Sequence, residues 1–111
     1  MRNPIDVTPA ELEMIMKILN LHVPEFEVRV FGSRVNGNSR PTSDIDLVVM
    51  TDTPLPILRL IELKEAFTES NLPFRVDVLD WARIGESFRT IIEKSYAIIQ
   101  EGNATNTKSA S

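Results

Sequence analysis

Two aspartates one residue apart, Asp44 and Asp46, stand at the head of an apolar run that continues Leu47-Val48-Val49-Met50. If that run is a strand, side chains at i and i+2 project to the same face, which sets the two carboxylates side by side. Unpaired carboxylates held that close repel each other, and both lose solvation as the strand enters a core. A divalent cation removes both costs, and hard oxygen ligands favour Mg²⁺ or Mn²⁺ over zinc. Upstream, Gly32-Ser33 closes another apolar run. A Gly-Ser turn after a strand offers backbone N–H groups and a hydroxyl to a phosphate, because glycine has no Cβ to block close approach. A short helix after Ser33 would add a dipole favourable to an anion. Phosphate donors at one end of a loop and metal carboxylates at the other describe a metal–nucleotide site. Arg34, next in the chain, reads either as a solvated loop charge or as a cation beside a triphosphate, and Arg40 as a loop charge.

These residues need three strands to carry them. The run 45–50 is short for a helix and rich in β-branched residues, so it reads as a buried strand. Before Gly32, the segment 26–31 alternates, with Phe26, Val28 and Val30 on one face and Glu27, Arg29 and Phe31 on the other. A third strand, 74–79, sets Phe74, Val76 and Val78 against Arg75, Asp77 and Leu79. Asp77 is thus a carboxylate inside an otherwise apolar strand, where a bare charge is costly. An ion pair with Arg75 is one account of it.

Helices fill the intervals. Thr8-Pro9-Ala10-Glu11 carries the signs of a capped helix start, and Leu12, Ile15, Met16 and Leu19 recur at helical spacing. Val23-Pro24 ends that helix, with His22 read as a surface or capping residue at its last turn. Turn signals at 51–54 precede an apolar stripe of Ile57, Leu60, Ile61 and Phe67, widened by Leu58 and Leu63 and broken at Asn71-Leu72-Pro73. Asp80 reads as the N-cap of a last helix with Ile84, Phe88, Ile91, Ile92 and Ile99 on one face and Gly102 as its C-cap. Tyr96 and Ile98 fall off that stripe and are expected to face solvent or a partner. Residues 103–111, all small, polar or Lys, read as a disordered tail, leaving 1–102 as one domain. The alternation indicates an α/β fold: a small sheet of three strands, with room for a fourth short one, packed with helices.

Gly32-Ser33, the ten residues 34–43 and Asp44-Ile45-Asp46 together resemble the signature of the polymerase-β-like nucleotidyltransferases. The short chain, the Gly32-Ser33-Arg34 opening and the Ser43-Asp44-Ile45-Asp46-Leu47 close resemble in particular the minimal nucleotidyltransferases of prokaryotes, antitoxin partners of HEPN-domain toxins. The resemblance spans roughly residues 9 to 100, with its specific motifs at 32–46 and Asp77. It implies a mixed sheet and a third acidic residue, matched by Asp77, on the strand beside Asp44 and Asp46. These three would hold two Mg²⁺ (or Mn²⁺) ions, and Gly32, Ser33 and Arg34 the phosphates of ATP. The reaction implied is transfer of AMP to a hydroxyl, a tyrosine, of a HEPN toxin.

Composition narrows the alternatives. A chain of 111 residues supports one core, without a separate substrate-binding domain. That weighs against transfer to a small molecule such as an antibiotic. The net charge of −4 and the scattered Arg and Lys speak against unaided nucleic-acid binding. With no cysteine, disulfides and thiolate metal sites are excluded, and no apolar run or leader pattern suggests a membrane, so a cytoplasmic protein is expected. A rival from another class is an antitoxin that works by contact alone around a vestigial nucleotide site.

Overall fold

A computed structural model describes residues 4–102. In chain order the elements are α1 (Pro9–His22), β1 (Val28–Phe31), α2 (Ser33–Asn36), β2 (Ile45–Val49), α3 (Ile57–Thr68), β3 (Val76–Asp80), a single 3₁₀ turn (Trp81–Arg83), α4 (Glu86–Lys94) and β4 (Tyr96–Gln100). The strands form one mixed sheet in the order β3-β2-β1-β4. β1 pairs antiparallel with β2 and with β4, whereas β2 and β3 run parallel, joined through α3.

Alternation along the strands assigns the two faces of the sheet. Val28 and Val30 of β1, Ile45, Leu47 and Val49 of β2 and Val78 of β3 turn to the face covered by α1 and α3, where Ile15, Leu19, Leu60, Leu63 and Phe67 complete the main core. Burying each such side chain contributes about 1.5–3 kcal/mol. The opposite face carries a smaller cluster of Phe31, Val48 and Ile92, with Met50, Leu79, Trp81 and Ile84 packed against it. This second face also bears Asp46 and Asp77. α1 begins as its sequence indicates: the Thr8 hydroxyl accepts from the Glu11 N–H, the Glu11 carboxylate accepts from the Thr8 N–H, and Pro9 opens the first turn. Among the described residues no helix is long and apolar enough to cross a membrane.

Three expectations are corrected. The last helix stops at Lys94, and residues 96–100, expected to continue it to Gly102, are the fourth strand. Ile91, Ile92 and Ile99 fit a helical period, but Tyr96 to Gln100 find hydrogen-bonding partners on the open edge of β1, and Ile99 reaches the main core from the sheet. Gly102 caps no helix; it lies against the backbone of residues 25–27, where a Cβ would stand 2.7 Å from the Glu25 carbonyl oxygen. On α3 the buried stripe is Leu60, Leu63 and Phe67, leaving Ile57, Leu58 and Ile61 exposed.

Asp80 is the third correction. It precedes the 3₁₀ turn but makes no side-chain cap. Its buried carboxylate instead accepts from the Thr51 hydroxyl, from the Leu55 N–H at 2.7 Å and from Arg83 at 3.1 Å, fastening the segment after β2 to the end of β3. Tyr96 and Ile98 are exposed as expected, though the reason is alternation along β4 and not a helical stripe. The tail expected at 103–111 lies outside the described residues.

Candidate active site

The site is assembled where three strands come into register. Phe31, the last residue of β1, pairs with Asp46 of β2, and Asp46 pairs in turn with Asp77 of β3. Side chains at paired positions share a face, so one row crosses the sheet as Phe31–Asp46–Asp77. Asp44 stands just before β2, exposed, two residues from Asp46. The N–H of the intervening Ile45 donates to the Arg75 carbonyl at 3.0 Å, which extends the pairing of β2 and β3 beyond the two strands.

Burial is the first cause raising the Asp46 carboxyl above its ordinary pKa, followed by the charges of Asp77 and then Asp44. Asp46 therefore senses the charge of both neighbouring carboxylates. Asp77 is exposed, rather than enclosed by apolar neighbours as expected, and Arg75 forms no ion pair with it, so the neutralising partner suggested by their spacing is not used. The donor set is all carboxylate oxygen, the chemistry that fits Mg²⁺ or Mn²⁺. No three His, Cys, Asp or Glu side chains among the described residues are closed into a ready-made ion cage. A cation binding here would draw the aspartates together against their repulsion.

Gly32 brings the other half of the chemistry to the same place. Its φ of 83° and ψ of −155° turn the chain out of β1 into α2. An ideal Cβ on Gly32 would stand only 2.5 Å from Asp46 Oδ2. The Asp46 carboxylate thus lies directly against the Gly32 backbone, and Ser33 follows as the first residue of α2. A Gly-Ser turn and a carboxylate separated by 14 positions in the chain become neighbours. No local pattern reveals that contact, because it depends on the register of β1 against β2.

Asp46 and Asp77 line an open cleft of about 830 Å³, together with Phe31, Lys64, Arg75 and Phe88. Phe31 and Phe88 meet edge to face, with ring centroids 5.8 Å apart. Nothing in the sequence places Lys64, Arg75 and Phe88 together at the site, since each belongs to the cleft only through the packing of α3, β3 and α4. Arg34 is not on this surface. It is buried, and its guanidinium is directed at backbone carbonyls of the protein. Arg40 is an exposed loop residue, and His22 lies half-buried at the end of α1, its carbonyl accepting from Arg59.

Residues 12–103 match the model of the nucleotidyltransferase domain. The chain belongs to the nucleotidyltransferase domain family. Over 104 residues it is 47% identical to the "Probable protein adenylyltransferase MntA" of Haemophilus influenzae, an alignment covering 94% of this chain and 91% of that protein. Among solved structures, a toxin–antitoxin bound to AMP-PNP superposes with a TM-score of 0.69 at 23% identity, over 89% of this chain and 85% of that one. A complex of a tri-AMPylated Shewanella oneidensis HEPN toxin with its MNT antitoxin superposes with a TM-score of 0.64 at 19% identity, over 88% and 76%. At these identities the two structures speak for the nucleotidyltransferase fold, a mixed four-stranded sheet with helices, which this domain shares.

Proposed function

We propose that this nucleotidyltransferase moves AMP from ATP to a hydroxyl of a protein partner, a tyrosine of a HEPN-type toxin, and acts as that toxin's antitoxin. The observation that carries the chemistry is the position of Asp46, between the Gly32 backbone on one side and Asp77 on the other. A turn suited to phosphate and a carboxylate group suited to a divalent cation occupy one spot at the mouth of an open cleft. The relatives support a protein acceptor. The H. influenzae protein is named as a protein adenylyltransferase, and the S. oneidensis complex contains an AMPylated HEPN toxin.

In this reading Ser33 and the backbone at Gly32 hold the β- and γ-phosphates, leaving the α-phosphorus open to the cleft. The acceptor oxygen bonds to the α-phosphorus, the bond to the pyrophosphate oxygen breaks, and pyrophosphate leaves. Asp77, at the far end of the row from Gly32, lies on the acceptor side and takes the acceptor's proton. Asp44, Asp46 and Asp77 would hold Mg²⁺, which when bound supplies positive charge to the attacking and leaving oxygens. The remaining demand on the protein is alignment, and a rigid sheet row meets it. An open cleft suits an acceptor presented on another protein, since this domain has nothing to enclose a small molecule.

The test is direct. The chain, its HEPN-domain partner, ATP and Mg²⁺ are incubated, and the intact mass of the partner is measured. One or a few adenylyl additions are expected, absent with Asp44→Asn. A partner neutralised at unchanged mass, and equally well by the Asp44 variant, would establish neutralisation by contact instead.

A further inference from the structure

We infer that Arg34 is a positioning residue for Asp44, acting through the Ser43 carbonyl, and that it does not touch the nucleotide. Its side chain is only 4% exposed. Nε and Nη2 both donate to the Ser43 carbonyl, at 3.2 and 2.7 Å, and Nη2 also donates to the Pro41 carbonyl at 3.1 Å. Nη1 donates to the Asp6 carbonyl at 2.8 Å, and the guanidinium carbon lies 4.2 Å from the centroid of the Phe74 ring. None of the ion pairs among the described residues includes Arg34. A buried cation with no carboxylate partner is held here by carbonyl oxygens and one aromatic face.

Those carbonyls belong to the parts that must be held. The loop from Gly37 to Ser43 contains no strand and only local turns, and it delivers Asp44 to the site. Arg34, at the loop's near end, grips its far end one residue before Asp44. The same fork ties it to the segment before α1, where the Asp6 N–H donates to the Arg34 carbonyl at 2.7 Å and Ser39 donates its hydroxyl to the Asp6 carboxylate. Phe74, just ahead of β3, supplies the stacking face. One planar group thus ties together the N-terminal segment, the loop and the approach to β3. A lysine ammonium carries the same charge but lacks the planar fork, and does not reproduce the four-bond arrangement that Arg34 makes to the carbonyls of residues 6, 41 and 43.

The inference rests on the metal–nucleotide reading of the site, and the test separates the two. ATP binding is titrated calorimetrically on the full chain, once with chelator and once across a Mg²⁺ series, for wild type, Arg34→Lys and Arg34→Met. Amide exchange at residues 42–45 is followed in parallel. Outer partners of metal ligands are commonly worth 10- to 100-fold in metal affinity. Both variants are therefore expected to need about tenfold more Mg²⁺ for half-maximal nucleotide binding. Metal-free ATP affinity should be unchanged, and exchange at 42–45 faster. The milder Phe74→Leu, which leaves the fork intact, should shift the Mg²⁺ requirement in the same direction by less, and serves if the Arg34 variants do not fold. Weaker metal-free ATP binding in Arg34→Met that Arg34→Lys restores would overturn the inference in favour of a phosphate contact. An unchanged Mg²⁺ requirement with only a lowered melting temperature would overturn it in favour of simple stabilisation. A wild-type chain without Mg²⁺-dependent nucleotide binding would refute the underlying reading instead, and exchange at 42–45 would still decide whether Arg34 orders the residues before Asp44.

Discussion

Replacing Gly32 by alanine separates the backbone demands of the site from its chemistry. At φ 83° and ψ −155° Gly32 occupies a region almost confined to glycine, and a side chain there costs on the order of 1–3 kcal/mol. The added methyl carbon would also stand 2.5 Å from Asp46 Oδ2, so the carboxylate must move. Gly37 is a built-in control. Its φ of 87° and ψ of 6° are left-handed, costing alanine about 1–2 kcal/mol, yet a Cβ there meets nothing within 4 Å. For a domain of about 100 residues each kcal/mol lowers Tm by about 4–8 °C. Thermal melts should therefore drop by about 4–16 °C for Gly37→Ala, and by more for Gly32→Ala, where the contact with Asp46 adds to the backbone cost. The two variants should part on titration with Mg²⁺ and ATP: Gly37→Ala binds as wild type, whereas Gly32→Ala loses most of its metal-dependent affinity. Equal Mg·ATP affinity in the two variants would refute the claim that the Asp46 carboxylate must lie against the Gly32 backbone.

Other consequences are as concrete. Because burial and two neighbouring carboxylates raise the Asp46 pKa in the folded chain, the native state holds that proton to higher pH than the unfolded chain does. Without metal, ionised Asp46 then costs stability, a penalty complete above the raised pKa and relieved as pH falls through it. Asp46→Asn should accordingly melt higher than wild type at neutral pH in chelator, with the gain shrinking in acid, while Mg²⁺-dependent ATP binding is abolished; a variant that melts lower at neutral pH would contradict this. For Asp77→Asn, kcat should fall about 100-fold or more, with ATP affinity little changed. If instead the melting temperature drops while the rate per folded molecule holds, Asp77 is a structural residue. Asp80→Ala makes the opposite case: losing the buried acceptor of Thr51, Leu55 and Arg83 should cost about 3 kcal/mol in urea unfolding, while the Mg²⁺ requirement of the folded fraction stays as it was.

What the amino-acid sequence determined by itself is whatever short-range spacing controls. Asp-x-Asp ahead of a β-branched run, Gly-Ser after an alternating one and the Thr8–Glu11 capping box each work within a few residues. Their elements could be placed without knowing the fold, and so could the face that Asp77 shares with Leu79. Tertiary structure decided whatever depends on which segments meet. Residues 96–100 satisfy a helical period nearly as well as a strand's over so short a span, and only the open edge of β1 makes them β4. Asp80 sits where an N-cap would, yet its carboxylate turns toward Thr51 and Leu55, far away in the chain. Arg34 could equally have been a surface charge until the loop folded over it and filled its donors with carbonyls. The contact between Gly32 and Asp46 is of the same kind. Local preference fixes a residue's own backbone state, but hydrogen-bond partners and burial are supplied by segments distant in the chain, and those decided which groups share the site.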